Sequence, residues 1–128
     1  MAYPITIIFT PGEFAILEDR LNLGDCIADA LTDFEEGDKP TVTADRDTIE
    51  ERASRITGPI VTLADELDLA ILADAIHGST IPYKAKDALE LGGTEEESRW
   101  ARAARRHFKA IEQKFTAATG EEAHFPKC

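Results

Sequence analysis

Apolar residues recur along this chain with the two spacings that distinguish strands from helices. From Ile5 to Phe9 four of five residues are apolar, β-branched residues dominate and a turn signal follows at once, which predicts a strand. The pattern favours two further short strands, at residues 41–43 and at Ile60–Val61. Elsewhere apolar positions lie three or four residues apart, as on one face of a helix. We therefore predict a mainly α fold (α or α+β), a compact bundle of about five helices with a minor β element near the amino terminus.

Three Thr-x-x-Glu sequences, which begin at Thr10, Thr48 and Thr94, each match a capping box and predict a helix start. A weaker cap at Thr62 and Asp65 precedes the most apolar segment, 63–76. The longest helix is predicted from Thr94 to about 119, with Gly120 as its stop. Along its apolar stripe we expect four residues to be buried together: Trp100, Phe108, Ile111 and Phe115. Their expected neighbours in the core are Leu67, Ile71 and Phe14.

The two halves of the chain share a faint internal echo. Residues 15–21 and 70–76 match at several positions with a constant offset of 55, and Asp29-Ala30-Leu31 matches Asp87-Ala88-Leu89 after a three-residue insertion. Each half would then contain a short strand, a helix, a tight link and a second helix. Two interpretations stay open: a true duplication, or chance similarity of two helical segments. Chance is an alternative because Ala, Ile, Leu and Asp are common helix residues.

The length of 128 residues fits one domain, which we place at residues 1–120, followed by a short, solvated tail at 121–128. The formal net charge at pH 7 is −11. This charge argues against a protein that binds nucleic acid over its whole surface and against one held to anionic lipid, since both need positive charge to meet phosphate. We therefore expect neither direct nucleic-acid contact nor membrane contact.

The chain shows no features of export or of membrane insertion. No apolar run reaches the roughly 18 residues of a membrane helix, and the amino terminus lacks the basic region and cleavage site of a secretory signal. Cys26 and Cys128 are the only cysteines, whereas a small secreted domain normally carries more in recognisable spacing. We expect a cytoplasmic protein without a disulfide framework, present as a monomer or homodimer.

Residues with catalytic or metal-binding chemistry are sparse and poorly spaced. A single Glu-x-x-His sequence ends at His124, whereas carboxylate di-metal bundles need two, and zinc-ligand spacing is absent from the sequence. No serine lies in a Gly-x-Ser-x-Gly context, and Gly92-Gly93 precedes three glutamates that would repel phosphate. We expect structural roles for Cys26, as a buried thiol, and for the three histidines. The sequence therefore predicts no catalytic residues, no metal and no cofactor.

Charge is distributed unevenly along the chain. Residues 1–94 carry 19 acidic and 7 basic side chains, while residues 98–119 carry six basic side chains against Glu112 alone. Four of the basic residues share one helical stripe: Arg99, Arg102, Arg106 and Lys109. Two interpretations of this stripe are open. Its arginines pair with carboxylates of the acidic body, or they form a basic strip for an acidic protein or nucleic acid.

The acidic residues form two clusters that are candidates for partner binding. Three- or four-residue spacing places the first cluster on one side of the second helix: Asp25, Asp29, Asp33 and Glu36. The second surrounds the third helix: Asp45, Asp47, Glu50 and Glu51. Such rows often form only a solvated face. With this excess of carboxylates they can also mimic a phosphate backbone and occupy a groove of Arg and Lys side chains.

Residues 62–118 resemble small acidic accessory proteins of bacteriophages and prophages. The resemblance lies in a short strand, Thr-capped helices rich in Ala, Leu and Asp, and a link such as Gly78-Ser79-Thr80. It implies an anti-CRISPR-like inhibitor that acts by stoichiometric binding, and it carries over no functional residue. The function predicted is a non-enzymatic acidic module that binds a basic protein surface of a nucleic-acid-binding complex. The alternative is a small helical enzyme or ligand-binding domain whose site is assembled only in three dimensions.

Overall fold

The computed structural model describes residues 3–32 and 44–127 and confirms the predicted fold class, a mainly helical domain with a minor β element. The predicted strand at 41–43 lies outside the described residues. Within the described ranges there are six helices, against the expected number of about five, and two strands. In chain order they are β1 (Ile5–Ile8), α1 (Pro11–Leu21), α2 (Gly24–Thr32), α3 (Arg46–Arg55), β2 (Ile60–Leu63), α4 (Glu66–His77), α5 (Ile81–Glu90) and α6 (Glu95–Thr119).

The strands β1 and β2 form a two-stranded antiparallel sheet. Ile5 pairs with Leu63 at one end of the register and Ile8 with Ile60 at the other. Side chains alternate between the two faces of the sheet, so Ile5 and Leu63 are buried while Thr6 and Thr62 face outward with their hydroxyls 3.4 Å apart. The alternation directs two of the four residues of each strand into the core, Ile5 and Ile7 from β1 and Val61 and Leu63 from β2.

Two of the three predicted Thr caps are present. Thr10 forms a full capping box: its hydroxyl accepts from the Glu13 backbone N–H at 3.2 Å, and the Glu13 carboxylate accepts from the Thr10 N–H at 2.9 Å. Thr94 likewise accepts from the Glu97 N–H. The predicted box at Thr48 is wrong, because Asp45 caps this helix and accepts from the Thr48 N–H at 2.8 Å. Aspartate is itself a strong N-cap, so the helix begins earlier, at Arg46.

Two other helix boundaries differ from the sequence pattern. The helix expected from residue 63 begins at Glu66 with Asp65 as its cap, because Leu63 still belongs to β2. Glycine commonly follows the end of a helix, but Gly24 is the first residue of α2. Gly120 does end α6, in the left-handed conformation (φ 75°) that favours glycine.

The internal echo corresponds to a structural repeat. The order predicted for each half, a strand, a helix, a link and a second helix, is confirmed, and a third helix completes each half: β1-α1-α2-α3 and β2-α4-α5-α6. The offset of 55 relates the two strands, Ile5–Ile8 and Ile60–Leu63, and the two N-caps, Thr10 and Asp65. A shift of 55 residues converts the pair of Ile5 with Leu63 into the pair of Ile60 with Ile8, so the strand pairing stays the same when the two halves are exchanged. A two-fold axis between the halves requires this pairing.

Two partly buried ion pairs follow the same two-fold relation. Glu13 and Asp68 lie 55 residues apart, both near the start of a helix and both almost fully buried. Lys114 on α6 binds Glu13 at 2.5 Å, and Arg52 on α3 binds Asp68 at 3.1 Å. Burial raises the pKa of Glu13, but hydrogen bonds from Lys114 and the Thr10 backbone, with the charges of Lys114 and His107, hold it below its usual value. Each pair fastens the third helix of one half to the first helix of the other.

The core confirms most, but not all, of the predicted aromatic cluster. Phe14, Ile71, Ile111 and Phe115 are buried, and Phe108 and Leu67 pack against the core while half-buried. Trp100 is 44% exposed, so its predicted burial is wrong. Alanines 101 and 104 form the buried face at this end of α6, which leaves Trp100 at the edge of the face, beside Leu91 in a crevice between α5 and α6.

The C-terminal segment, residues 121–127, contains no helix or strand, but the prediction that it is solvated is wrong for two of its residues. Ala123 and Phe125 are buried. The Phe125 ring packs on Phe108 with 4.7 Å between centroids, and the Phe125 N–H donates to the Glu112 carboxylate at 2.8 Å. Ala123 and Phe125 are two positions apart, a spacing that puts both side chains on one side of an extended segment. This spacing does not match helical periodicity, so the sequence pattern did not indicate that the two residues are buried.

Replacement of Phe125 by alanine should lower the free energy of unfolding by about 2 kcal/mol, since it removes a buried ring and its contact with Phe108. His124→Ala, one position away and exposed, is the matched control and should change stability by less than about 0.5 kcal/mol. Urea denaturation of both variants measures the difference. Equal midpoints for Phe125→Ala and the parent protein would mean that the segment does not pack in solution.

Candidate partner-binding surfaces

The two predicted acidic clusters lie on helices that pack against each other. Asp25 and Asp29 are on α2, Asp47, Glu50 and Glu51 are on α3, and Asp45 caps α3. Asp33 and Glu36 lie outside the described residues. The helices approach closely at Gly24, where a methyl group would be 3.4 Å from the Glu50 Cα. We call the six described carboxylates, Asp25, Asp29, Asp45, Asp47, Glu50 and Glu51, the acidic surface.

Arg46 lies among several carboxylates of the acidic surface. It forms an exposed ion pair with Asp29. The hydrogen bond and charge of Asp29 raise the pKa of Arg46, and the charges of Glu50 and Asp25 raise it further, although burial acts in the opposite direction. Carboxylates from both helices therefore converge on one guanidinium, which neutralises part of their charge.

The remaining carboxylates of the acidic surface differ in how far they are already engaged. Asp45 accepts the Thr48 N–H, which lowers the pKa of Asp45, and Glu51 pairs with Arg55 on the same helix. Asp25 and Asp47 are exposed, and within residues 3–32 and 44–127 neither forms an ion pair or a side-chain hydrogen bond. Among the described residues, Asp25, Asp47 and the half-buried Glu50 are the carboxylates of this surface that a cationic partner can engage without breaking an internal bond.

The basic residues predicted on the last helix form an exposed face of α6. Arg99, Arg102, Arg106 and Lys109 are all exposed. Arg99 reaches Glu95 of its own helix at 3.7 Å, and among the described carboxylates none lies within ion-pair distance of the other three. The interpretation that these arginines pair with the acidic body therefore finds no support in the described part of the chain. Lys114, closer to the buried face of α6, makes the pair with the body instead.

The acidic surface and the basic face of α6 belong to helices that have little or no contact with each other. Helix α1 packs against both α2 and α6, whereas neither α2 nor α3 packs extensively against α6. The two surfaces of opposite charge are therefore carried by separate elements, and each is a candidate for its own kind of partner.

A groove of about 880 Å³ lies beside the acidic surface, between α2, α4 and the C-terminal segment. Its floor is apolar and includes Leu67, Ala70 and Ala73 of α4. Glu66, Glu121 and Glu122 line its rim, and Leu31 of α2 and Ala44 form the wall next to the acidic surface. Sequence reasoning missed this groove, although the three-residue spacing of small apolar residues on α4 and the Glu121-Glu122 pair were visible signals.

The other polar groups in the groove are engaged inside the domain. Asp74 binds Arg20, with Nε and Nη2 each 3.1 Å from Asp74 Oδ2, and His77 Nδ1 lies 3.1 Å from the His124 carbonyl oxygen. Burial raises the pKa of Asp74, and the charge and hydrogen bond of Arg20, with the charge of His77, offset only part of that rise. Asp74 and His77 thus stabilise the wall of the groove.

Cys26 is half-buried, where the sequence suggested a buried thiol, and the Cys128 position lies outside the described residues. In the described part of the chain no three His, Cys, Asp or Glu side chains are grouped so that they could hold a metal ion. None of the described helices combines the length and apolar character needed to cross a membrane. Comparison with family models, with curated proteins and with solved structures gives no match to this chain.

Proposed function

We propose that this protein is a non-enzymatic binding module whose acidic surface occupies a basic surface of a protein that handles nucleic acid. The chief support is one observation: two predicted rows of carboxylates meet on the packed helices α2 and α3, where Asp25 and Asp47 are exposed and unpaired within the described residues. Carboxylates on a rigid helix pair can replace phosphates in a groove of Arg and Lys, and they gain the same release of counterions.

The charge of the whole chain supports the same partner chemistry. At −11 the protein attracts cationic surfaces over a distance and is repelled by nucleic acid itself. A module of this kind blocks its target by occupying the site meant for DNA or RNA. The resemblance to phage accessory proteins suggests the biological setting, an inhibitor of a host complex in the cytoplasm.

The test is to reverse the two unpaired charges, in the double variant Asp25→Lys/Asp47→Lys. Partners are first captured from a host lysate at low and high salt, and the purified partner is then titrated with each variant. We expect the double variant to bind about 100-fold more weakly, mainly through a slower association rate, because long-range steering acts on association. Neither residue belongs to the core, so the fold should persist.

The matched control is Glu95→Lys/Glu96→Lys. Like Asp25 and Asp47, both glutamates are exposed and lie in the first turn of a helix, so the change in net charge and the cost to the helix dipole are the same. This control should retain most of its affinity. Equal losses in the two variants would show that net charge alone governs binding. A loss confined to Arg102→Glu/Arg106→Glu would mean that the basic face of α6 is the contact surface.

A further inference from the structure

We infer that the groove between α2, α4 and the C-terminal segment receives a cationic amphipathic segment of a protein partner. Apolar side chains of that segment would lie on the floor, and its Lys and Arg side chains would meet the glutamates of the rim. The inference rests on the proposed function, since it assigns a second contact to the same basic partner. It is nevertheless testable without that partner.

The floor of the groove provides a continuous apolar strip. Leu67, Ala70 and Ala73 are spaced three residues apart on α4, so they share one face of the helix. All three are half-buried and pack on the core from below, which leaves their upper side open to water. Because alanine at positions 70 and 73 adds little volume above the helix, side chains of a partner can approach the backbone of α4. Covering this strip removes apolar area from water, which favours binding.

Among the described residues, the rim of the groove is negative, and His77 is the one lining side chain that can carry a positive charge. Glu66 begins α4, and Glu121 and Glu122 follow the end of α6. Neither lysine nor arginine is among the described residues that line the groove. Arg20 reaches the Asp74 carboxylate in the groove wall and is occupied there. Within residues 3–32 and 44–127, Glu66 and Glu121 form no ion pair, and the partner of Glu122 is His124, at 3.7 Å.

Tyr3 marks the point where the negative charges of the rim converge. Burial raises the pKa of the Tyr3 hydroxyl, and the charges of Glu66, Glu121 and Asp65 raise it further. Carboxylates from the start of α4 and from the C-terminal segment thus act on one site at the rim. A Lys or Arg side chain beside Tyr3 can contact more than one of them, and charge-assisted hydrogen bonds of this kind are stronger than neutral ones.

The combination of floor and rim selects one class of occupant. Nucleic acid and acidic peptides are repelled by the rim, and a purely apolar ligand gains nothing from it. A cationic amphipathic helix matches both parts, as in other grooves that bind a helix by its apolar face. Leu31 on α2 and Ala44, the residue before Asp45, line the groove, so the groove adjoins the acidic surface and a partner bound there can reach it.

The probe is a synthetic 14-residue peptide with leucines on one helical face and lysines on the other, titrated into the full-length protein. Two further peptides serve as comparisons: one of the same composition in scrambled order, and one with glutamate in place of lysine. Fluorescence anisotropy gives the dissociation constants, and backbone amide NMR shifts locate the bound peptide. We expect the amphipathic peptide to bind most tightly and to shift the amides of Ala70, Ala73 and Glu121.

Two pairs of variants test the rim and the floor. Glu121→Gln/Glu122→Gln should weaken binding of the peptide roughly fivefold, the scale of two exposed ion pairs. Glu95→Gln/Glu96→Gln makes the same charge change at the far end of α6 and should leave binding unchanged.

Ala70→Lys places a cation on the floor and should weaken binding roughly tenfold or more. Ala117→Lys, on the exposed side of α6, is its control. Thermal denaturation verifies that each variant is folded.

Three results would overturn the inference. The first is no binding of the amphipathic peptide at millimolar concentration. The second is equal binding of the scrambled peptide, which would indicate charge attraction alone. The third is loss of binding in Asp25→Lys/Asp47→Lys while both groove variants bind normally, which would place the peptide on the acidic surface. That last outcome leaves the proposed function intact. The opposite combination is also distinguishable: if the peptide binds in the groove but Asp25→Lys/Asp47→Lys binds the purified partner with unchanged affinity, the proposed function is rejected and the inference about the groove stands.

Discussion

Replacement of Phe115 by alanine should lower the free energy of unfolding by about 3–5 kcal/mol, the range observed for large aromatic side chains deleted from packed cores. Phe115 is fully buried on α6, which packs against α5, α1 and β1. Loss of the ring therefore opens a cavity where both halves of the repeat meet. Since domains of this size are stable by only about 5–15 kcal/mol, the variant should be close to unfolding at elevated temperature.

Trp100→Ala is the control for this prediction. It removes an even larger aromatic side chain from the same helix, but Trp100 is 44% exposed, so the cost should stay below about 1 kcal/mol. Urea denaturation with a shared slope gives both values. If the two variants lost equal stability, the orientation of α6 on the core would be incorrect.

The comparison between Phe115 and Trp100 shows how far periodicity predicts a core. The three- and four-residue spacing on α6 correctly identified a helix and placed Phe115, Ile111 and Phe108 on its inner side. It could not set the edge of that side, because the boundary of burial depends on how closely α5 approaches. Small alanines at 101 and 104 form that contact, and Trp100 beside them is displaced toward solvent.

Contacts between distant parts of the chain were beyond the sequence pattern. Glu13 was recognised as part of a capping box, a local signal, but its ion pair with Lys114 joins residues 101 positions apart. The equivalent pair of Asp68 with Arg52 became interpretable only through the 55-residue repeat. The echo in residues 15–21 and 70–76, with the shorter match of residues 29–31 to 87–89, was the sequence signal of that relation. It covered too few residues to choose between duplication and chance.

The candidate surfaces were predicted in part for the same reason. Helical spacing placed Asp25 and Asp29 on one side of a helix, and this is where they lie. Spacing could not indicate that α2 and α3 pack together, or that Arg46 would bridge to Asp29. The groove was missed because its rim comes from α4 and from the segment after α6, which no local pattern relates.

Replacement of Arg20 by methionine should cost about 3 kcal/mol at neutral pH, because it leaves the buried Asp74 carboxylate without its cation. Both side chains are largely buried, with 16% and 11% exposed. Gly78 allows this contact: a Cβ at that position would lie 2.7 Å from Arg20 Nη2. Arg55→Met is the control, since Arg55 and Glu51 form an exposed pair on one helix, and its cost should not exceed about 0.5 kcal/mol.

The cost of Arg20→Met should also depend on pH in a direction fixed by Asp74. Burial already raises the pKa of Asp74 above its ordinary value of 3.8, and removal of Arg20 takes away the main influence that lowers it. A carboxyl whose pKa is higher in the folded than in the unfolded state destabilises the fold once it is ionised, and this penalty disappears when both states are protonated. Unfolding measured from pH 7 down to pH 4 should therefore show the difference between Arg20→Met and the parent protein shrinking. The double variant Arg20→Met/Asp74→Asn should be more stable than Arg20→Met at pH 7, and its stability relative to the parent protein should not vary with pH in this way. If the stability lost in Arg20→Met stayed constant from pH 7 to pH 4, the lost packing of Arg20, and not the charge of Asp74, would be the cause.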